Sequence, residues 1–153
     1  MNPVVAVIAP GAMGAPVGKV LVEHGLKVLT SLQGRSAATV ARAQAAGLTD
    51  ASDEEIAGAD IILSILPPGE ALPLARRFAP ALTASNRKPL YVECNAVSPP
   101  TVERIAAAVA PTGCAFVDAG IIGAPPRPDY NGPTFYASGG DAPKACVPLV
   151  MPA

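Results

Sequence analysis

The chain has 153 residues, half of them apolar, few aromatics and a formal charge of −1. That length suits one domain with an aliphatic core, and the scattered charges exclude a basic nucleic-acid stripe, leaving a small molecule as the expected ligand. No apolar run is long enough to span a membrane and the N-terminus lacks a basic signal region, so a cytoplasmic protein is expected.

In chain order, Val4 to Ala9 is a short run rich in β-branched residues, which predicts a strand buried on both faces. Met13 to His24 carries apolar residues at near-helical spacing, with Pro16 in the first turn and Gly25 as the stop. Lys27 to Leu32 reads as a second strand. Ser36 is a candidate N-cap for an Ala-rich helix ending at Gly47, and Asp53 for a short turn through Ile56. Ile61 to Leu66 is a third strand, after which Pro67, Pro68 and Gly69 force a turn.

Glu70 to Leu82 reads as a helix kinked near Pro73 and closed by Pro80. Leu90 to Cys94 is a fourth strand. Ser98 precedes Pro99 and Pro100 as the cap of a helical run, Thr101 to Val109. Cys114 to Asp118 and Thr134 to Ser138 complete the strands. Cys94, Cys114 and Cys146 have neither a C-x-x-C spacing nor an even count, so buried free thiols are expected and no metal site. His24, the sole histidine, is read as structural.

Alternating strands and helices with no dividing linker predict an α/β doubly wound, mainly parallel sheet over residues 1–153. Its ligand should lie beyond the carboxyl ends of the strands, where the turns at 10–14, 33–36, 66–69, 94–99 and 118–126 gather. The first turn has the spacing A-x-G-x-x-G, with Ala9, Gly11 and Gly14 in the fingerprint positions and Gly18 one turn on. Gly11 would admit a pyrophosphate, while Gly14 and Gly18 would let the helix pack closely. The plainer alternative is a structural strand-to-helix turn.

The end of the second strand chooses among dinucleotides. An acid there would hold the ribose hydroxyls of NAD, but the chain has Ser31, Leu32 and Gln33 followed by Gly34, Arg35 and Ser36. Arg35 can fork onto a phosphate and Ser36 can donate a hydroxyl, so NADP is favoured over NAD, with an ordinary exposed helix-start residue as the alternative for Arg35. The missing acid also argues against a methyltransferase on the same architecture.

The runs G-A-M-G at 11–14, G-R-S at 34–36, L-P-P at 66–68, E-C-N-A-V-S-P at 93–99, D-A-G-I-I-G-A-P-P at 118–126 and S-G-G-D at 138–141 resemble the β-hydroxyacid and 6-phosphogluconate dehydrogenase superfamily. The resemblance covers essentially the whole chain and implies a Rossmann-type NAD(P)-binding domain. It places Gly11, Ala12, Met13 and Gly14 on the pyrophosphate and Arg35 and Ser36 on the adenosine 2′-phosphate. Leu66 and Pro67, in a turn completed by Pro68, would meet the ribose near the nicotinamide, with Asn95 and Ala96 beside the nicotinamide itself. The implied function is the cofactor-binding domain of an NADP-preferring oxidoreductase moving hydride to or from a small hydroxy acid, carbonyl or imine. The alternative is a non-catalytic nucleotide-binding module, or a subunit completed by another chain.

Three departures qualify that likeness. Glu93, Cys94, Asn95 and Ala96 stand where hydroxyacid dehydrogenases carry D-x-S-T, and Ile122, Gly123 and Ala124 replace a Ser-Gly-Gly loop, a pattern nearer imine-reductase-like branches. The family's helical domain, with its catalytic lysine, has no counterpart before Ala153, and Lys144 lies in a different context. An apolar face including Val147, Leu149, Val150 and Met151 is therefore expected to meet a partner or a second copy. Glu93 and Asp118 end strands near the site, where they could serve as acid or base or merely hold a loop, so no catalytic residue is assigned.

Overall fold

A computed structural model of the chain describes residues 2–144. Seven strands form one sheet: β1 (Val4–Ile8), β2 (Lys27–Thr30), β3 (Thr49–Asp50), β4 (Ile61–Ser64), β5 (Leu90–Glu93), β6 (Phe116–Ile122) and β7 (Thr134–Ser138). Their order is β3-β2-β1-β4-β5-β6-β7, with every pair parallel except β6 and β7. This is the Rossmann-type, doubly wound arrangement, whose strand order reverses between β1 and β4.

Helices α1 (Gly14–Glu23), α2 (Ala37–Ala45), α3 (Asp53–Ile56), α4 (Ala71–Ala84) and α5 (Pro99–Val109) cover the sheet. Alternate residues of each central strand serve two separate cores. Val5, Val7, Leu63 and Val92 join α1 and α2 on one face, while Ala6, Ile8, Ile62 and Tyr91 meet Phe78 of α4 and Ile105 of α5 on the other. Burial on both faces explains the unbroken apolar runs. Gly25 and Gly47 follow the last residues of α1 and α2 with positive φ, which lets Leu26 and Leu48 reach back to the Leu21 and Ala43 carbonyls.

Several local expectations need correction. Ser52, not Asp53, caps α3: its hydroxyl accepts the Glu55 N–H at 3.2 Å and the Glu55 carboxylate accepts the Ser52 N–H at 2.8 Å. Pro73 lies in the first turn of α4, where its missing N–H breaks no bond, so it makes no interruption. Pro80 lies inside α4 rather than ending it. Residues 76 and 80 are exposed, so water can satisfy the carbonyl that Pro80 leaves free, while Leu74, Phe78 and Leu82 anchor the buried side. The α5 helix begins at Pro99, and the hydroxyl of Ser98, its cap residue, accepts no backbone N–H but sits 3.0 Å from the Thr101 hydroxyl.

Residues 118–122 are strand rather than turn. Asp118 pairs with Glu93, the last residue of β5, so β6 runs on past the edge and is continued by its antiparallel partner β7. Ile122, Phe135 and Tyr136 on this extension are exposed. The apolar C-terminal run containing Val147, Leu149, Val150 and Met151 lies outside the described residues, as does Cys146. Cys94 and Cys114 are buried free thiols. No described helix is long and apolar enough to cross a membrane.

Candidate functional site

The switch point between β1 and β4 opens onto the glycine turn. A Cβ on Gly14 would lie 2.0 Å from the Ala9 carbonyl oxygen, so α1 starts in contact with the backbone leaving β1, and only glycine permits it. A Cβ on Gly18 would meet the Leu48 side chain at 2.6 Å, an end that can move. Thus Gly18 packs against the chain after α2 rather than against a strand. At Gly11 a Cβ would meet nothing within 4 Å, so the protein's own packing does not require glycine there. The N–H of Ala15 is taken by the Gly11 carbonyl, but those of Ala12, Met13 and Gly14 have no acceptor among the described residues. Free amides at a helix start, beside an open Gly11, form a concave donor set suited to a phosphate.

The turn after β2 is organised by arginines. Arg35 lines a cleft of about 210 Å³ with Leu66, Glu70, Pro73, Leu74 and Arg77. Arg77 reaches from α4 across to the end of β2, donating to the Ser31 hydroxyl at 2.9 Å and to both Asp53 oxygens at 2.6 and 3.0 Å. Arg42 of α2 donates to the Pro10 carbonyl of the glycine turn at 3.4 Å. Two acids stand close by, both engaged: Asp53 with Arg77, and Asp50 with the Leu32 N–H at 2.9 Å. Glu70 is the carboxylate among the residues lining the cleft. The Ser36 hydroxyl is occupied in capping α2, accepting the Thr39 N–H at 3.2 Å and donating to the Thr39 hydroxyl at 3.1 Å.

Across the switch point the walls are built differently. Leu66 borders the cleft, Pro67 and Pro68 are exposed beside it, and Ala96 is exposed at the end of β5. Asn95 is buried, and its carboxamide points inward. Its oxygen accepts the Leu66 N–H at 2.7 Å, and its nitrogen donates to the Ser64 hydroxyl at 3.1 Å and to Glu93 Oε1 at 2.5 Å. The Asn95 backbone N–H adds a 3.0 Å bond to the same Glu93 oxygen. Glu93 is fully buried, and its second oxygen has no partner, nor has the buried hydroxyl of Tyr91. Burial is the main force raising the Glu93 carboxyl above its ordinary value, against the Asn95 hydrogen bonds and with a smaller push from Asp118. Asp118 is itself raised by burial.

The predicted positions therefore gather along one sheet edge, from Gly11–Gly14 through Arg35 to Leu66–Pro68 and Asn95–Ala96. The sequence reading overlooked Arg42, Pro73, Leu74 and Arg77. A signal existed for Arg77, since it falls between Leu74 and Phe78 on a helix starting at this edge, but its reach to Ser31 crosses 46 positions of sequence.

A Gly-rich turn at the switch point of a doubly wound sheet, with cations around the next loop, defines the chain as a dinucleotide-binding Rossmann-type protein. The family model for the NAD binding domain of 6-phosphogluconate dehydrogenase matches residues 4–149. The chain belongs to that family, within the β-hydroxyacid dehydrogenase superfamily. The 3-hydroxyisobutyrate dehydrogenase of Pseudomonas aeruginosa is 30% identical over 123 residues, which is 78% of this chain and 40% of the relative. Among solved structures, a conserved protein of unknown function described as structurally similar to 3-hydroxyacid dehydrogenases is 30% identical with a TM-score of 0.81, over 97% of this chain and 55% of that one. The Mycobacterium tuberculosis 3-hydroxyisobutyrate dehydrogenase, solved with L-serine, shares the fold at 23% identity and a TM-score of 0.75, over 98% and 51% of the two chains. This chain thus spans about half the length of the proteins it matches or less.

Proposed function

We propose that residues 1–153 act as an NADP-preferring cofactor-binding domain, serving hydride transfer to or from a small hydroxy acid, carbonyl or imine. The observation that carries the NADP preference is the pair Arg35 and Arg77 on one cleft at the end of β2, with Asp50 and Asp53 already engaged. A 2′-phosphate placed there meets guanidinium groups, whereas Asp50 and Asp53 are taken up by the Leu32 N–H and Arg77, which leaves Glu70 on the α4 side as the carboxylate lining the cleft.

In this reading Ala12, Met13 and Gly14 donate backbone N–H groups to the pyrophosphate, and Gly11 leaves room for it. Arg35 faces the 2′-phosphate, with Ser36 supporting it through the start of α2. Leu66, Pro67 and Pro68 offer an apolar surface to the nicotinamide riboside, and Ala96 lies beside the ring. When bound, the nicotinamide supplies the hydride; the residues of this chain bind, orient and exclude water. No catalytic residue is assigned to the chain.

Calorimetric titration with NADPH and NADH tests the reading. Tighter binding of NADPH is expected, and Arg35→Ala should weaken NADPH about 10-fold or more while changing NADH little, the scale of one charge-assisted hydrogen bond. Equal affinity for both cofactors, unaltered by Arg35→Ala, would remove Arg35 and the NADP preference together.

A further inference from the structure

The wall formed by the loops after β4 and β5 contains a polar cluster whose parts are nearly all buried. The Asn95 carboxamide spends both its N–H groups on Glu93 and Ser64 and its oxygen on the Leu66 N–H. It therefore has no donor left for a ligand at the cleft. Leu66 lies two residues beyond the end of β4 and lines the cleft, so this bond fixes the backbone of one loop to the end of the next strand.

We propose that Glu93 and Asn95 are positioning residues: Glu93 orients the Asn95 carboxamide, which holds the Leu66 backbone and presets the two loops as one wall of the cofactor cleft. This rests on the dinucleotide reading for its consequence, but the clamp itself is a property of the protein without ligand. At the end of β5 the ligand then meets backbone and the exposed Ala96, not the Asn95 side chain.

The surroundings of Glu93 define the form in which it does this. Its register partners are Ser64 on β4 and Asp118 on β6, and Tyr91 shares its face of β5. Side chains of α4 and α5 buried against that face, including Leu74, Phe78, Ile105 and Val109, are apolar. The polar groups that face Glu93 are thus hydroxyls, the Asn95 amides and a second acid, with no cation among its described partners. A neutral carboxyl suits such a place: Oε1 accepts from Asn95, and Oε2, buried without a donor, is less costly there as an uncharged O–H than as a carboxylate oxygen. Glutamine reproduces that pattern of one acceptor and one donor.

Amide hydrogen exchange on the full chain, followed by NMR, tests the clamp directly. In wild type the Leu66 N–H and the Asn95 side-chain N–H groups should be protected. In Asn95→Ala the Leu66 amide should exchange about 5-fold faster, a conversion of the roughly 1 kcal/mol carried by one buried hydrogen bond. Glu93→Gln should keep the protection, and Glu93→Ala should lose it. NADPH titration should follow the same ranking, with Glu93→Gln within about 2-fold of wild type and Asn95→Ala weakened about 5-fold or more, as expected when a preset wall must be ordered on binding. Free-amide exchange of the Asn95 side chain in wild type overturns the clamp without any variant having to fold. Unchanged Leu66 exchange in Asn95→Ala does so as well. Absence of NADPH binding in wild type would instead overturn the cofactor reading and leave the exchange result standing.

Discussion

The two halves of the sheet edge solve the same problem by opposite means. On the β2 side, charged side chains approach a shared cleft, Arg35 from the loop after β2 and Arg77 from α4, and Arg77 holds Ser31 and Asp53 through partly exposed contacts. On the β4 and β5 side Glu93, Asn95 and Ser64 are buried and joined by hydrogen bonds, with no cation among their described partners. Exposed charges suit recognition of an anion, because they remain hydrated until it arrives and are screened by salt. A buried network suits fixed geometry, because breaking any member strands the others without water. In the proposed reading, the half that meets the nucleotide selects and the half that meets the nicotinamide holds shape.

Gly14 joins the two halves, and its replacement should have the largest effect. A methyl group 2.0 Å from the Ala9 carbonyl oxygen must push α1 off β1, so Gly14→Ala is expected to lose about 3 kcal/mol or more in denaturant unfolding. Gly18→Ala, which meets only the movable end of Leu48, should cost less than about 1 kcal/mol. Equal costs at the two positions would mean that the start of α1 can relax.

On the selecting side, Arg77→Met should weaken NADPH by roughly 3- to 10-fold more than NADH at low ionic strength, with the gap narrowing as salt is added. A salt-independent loss shared by both cofactors would show that Arg77 only shapes the cleft. Stability should change by about 1 kcal/mol or less, since the Arg77 and Asp53 pair is partly exposed.

On the shape-holding side the expected effect is smaller and lies in pH dependence. Burial raises the Glu93 carboxyl in the folded chain above its unfolded value, so the native state binds that proton more tightly. The associated stabilisation is complete below the ordinary carboxylate range and is lost as pH rises through the folded value. Glu93→Gln removes this titration while Asp118 remains. Unfolding midpoints of wild type and Glu93→Gln compared across pH should show wild type losing ground as pH rises. A difference that stays constant would place the Glu93 carboxyl at its ordinary value and end the contrast drawn between the two walls.

Much of this fold was legible because short-range rules govern it. Val4 to Ala9 and Ile61 to Leu66 have the composition of doubly buried strands, and Gly25 and Gly47 occupy the helix ends that require positive φ. Misplaced boundaries arose where a local rule had a competitor. Asp53 and Ser52 are both good caps, and Ser52 won because Glu55 completes its capping box while Asp53 is drawn to Arg77. Pro80 was read as a helix end, but the periodic burial of Leu74, Phe78 and Leu82 outweighs one absent hydrogen bond on an exposed side. The two-residue strand β3 is too short to carry any pattern.

By itself the sequence determined the strand-turn-helix at Gly11 to Gly14, the absence of an acid at Ser31 to Gln33 and the alternation that makes the sheet, because each depends on neighbours a few residues apart. Tertiary structure decided which side chains meet. The resemblance places Asn95 beside the nicotinamide but says nothing of its side-chain partners, and the carboxamide turns inward to Leu66, Ser64 and Glu93, 29, 31 and 2 positions away in sequence. The physical reason is that a buried amide takes whatever partners the sheet register brings alongside it, and register between distant strands is set by the packing of both faces rather than by any local pattern.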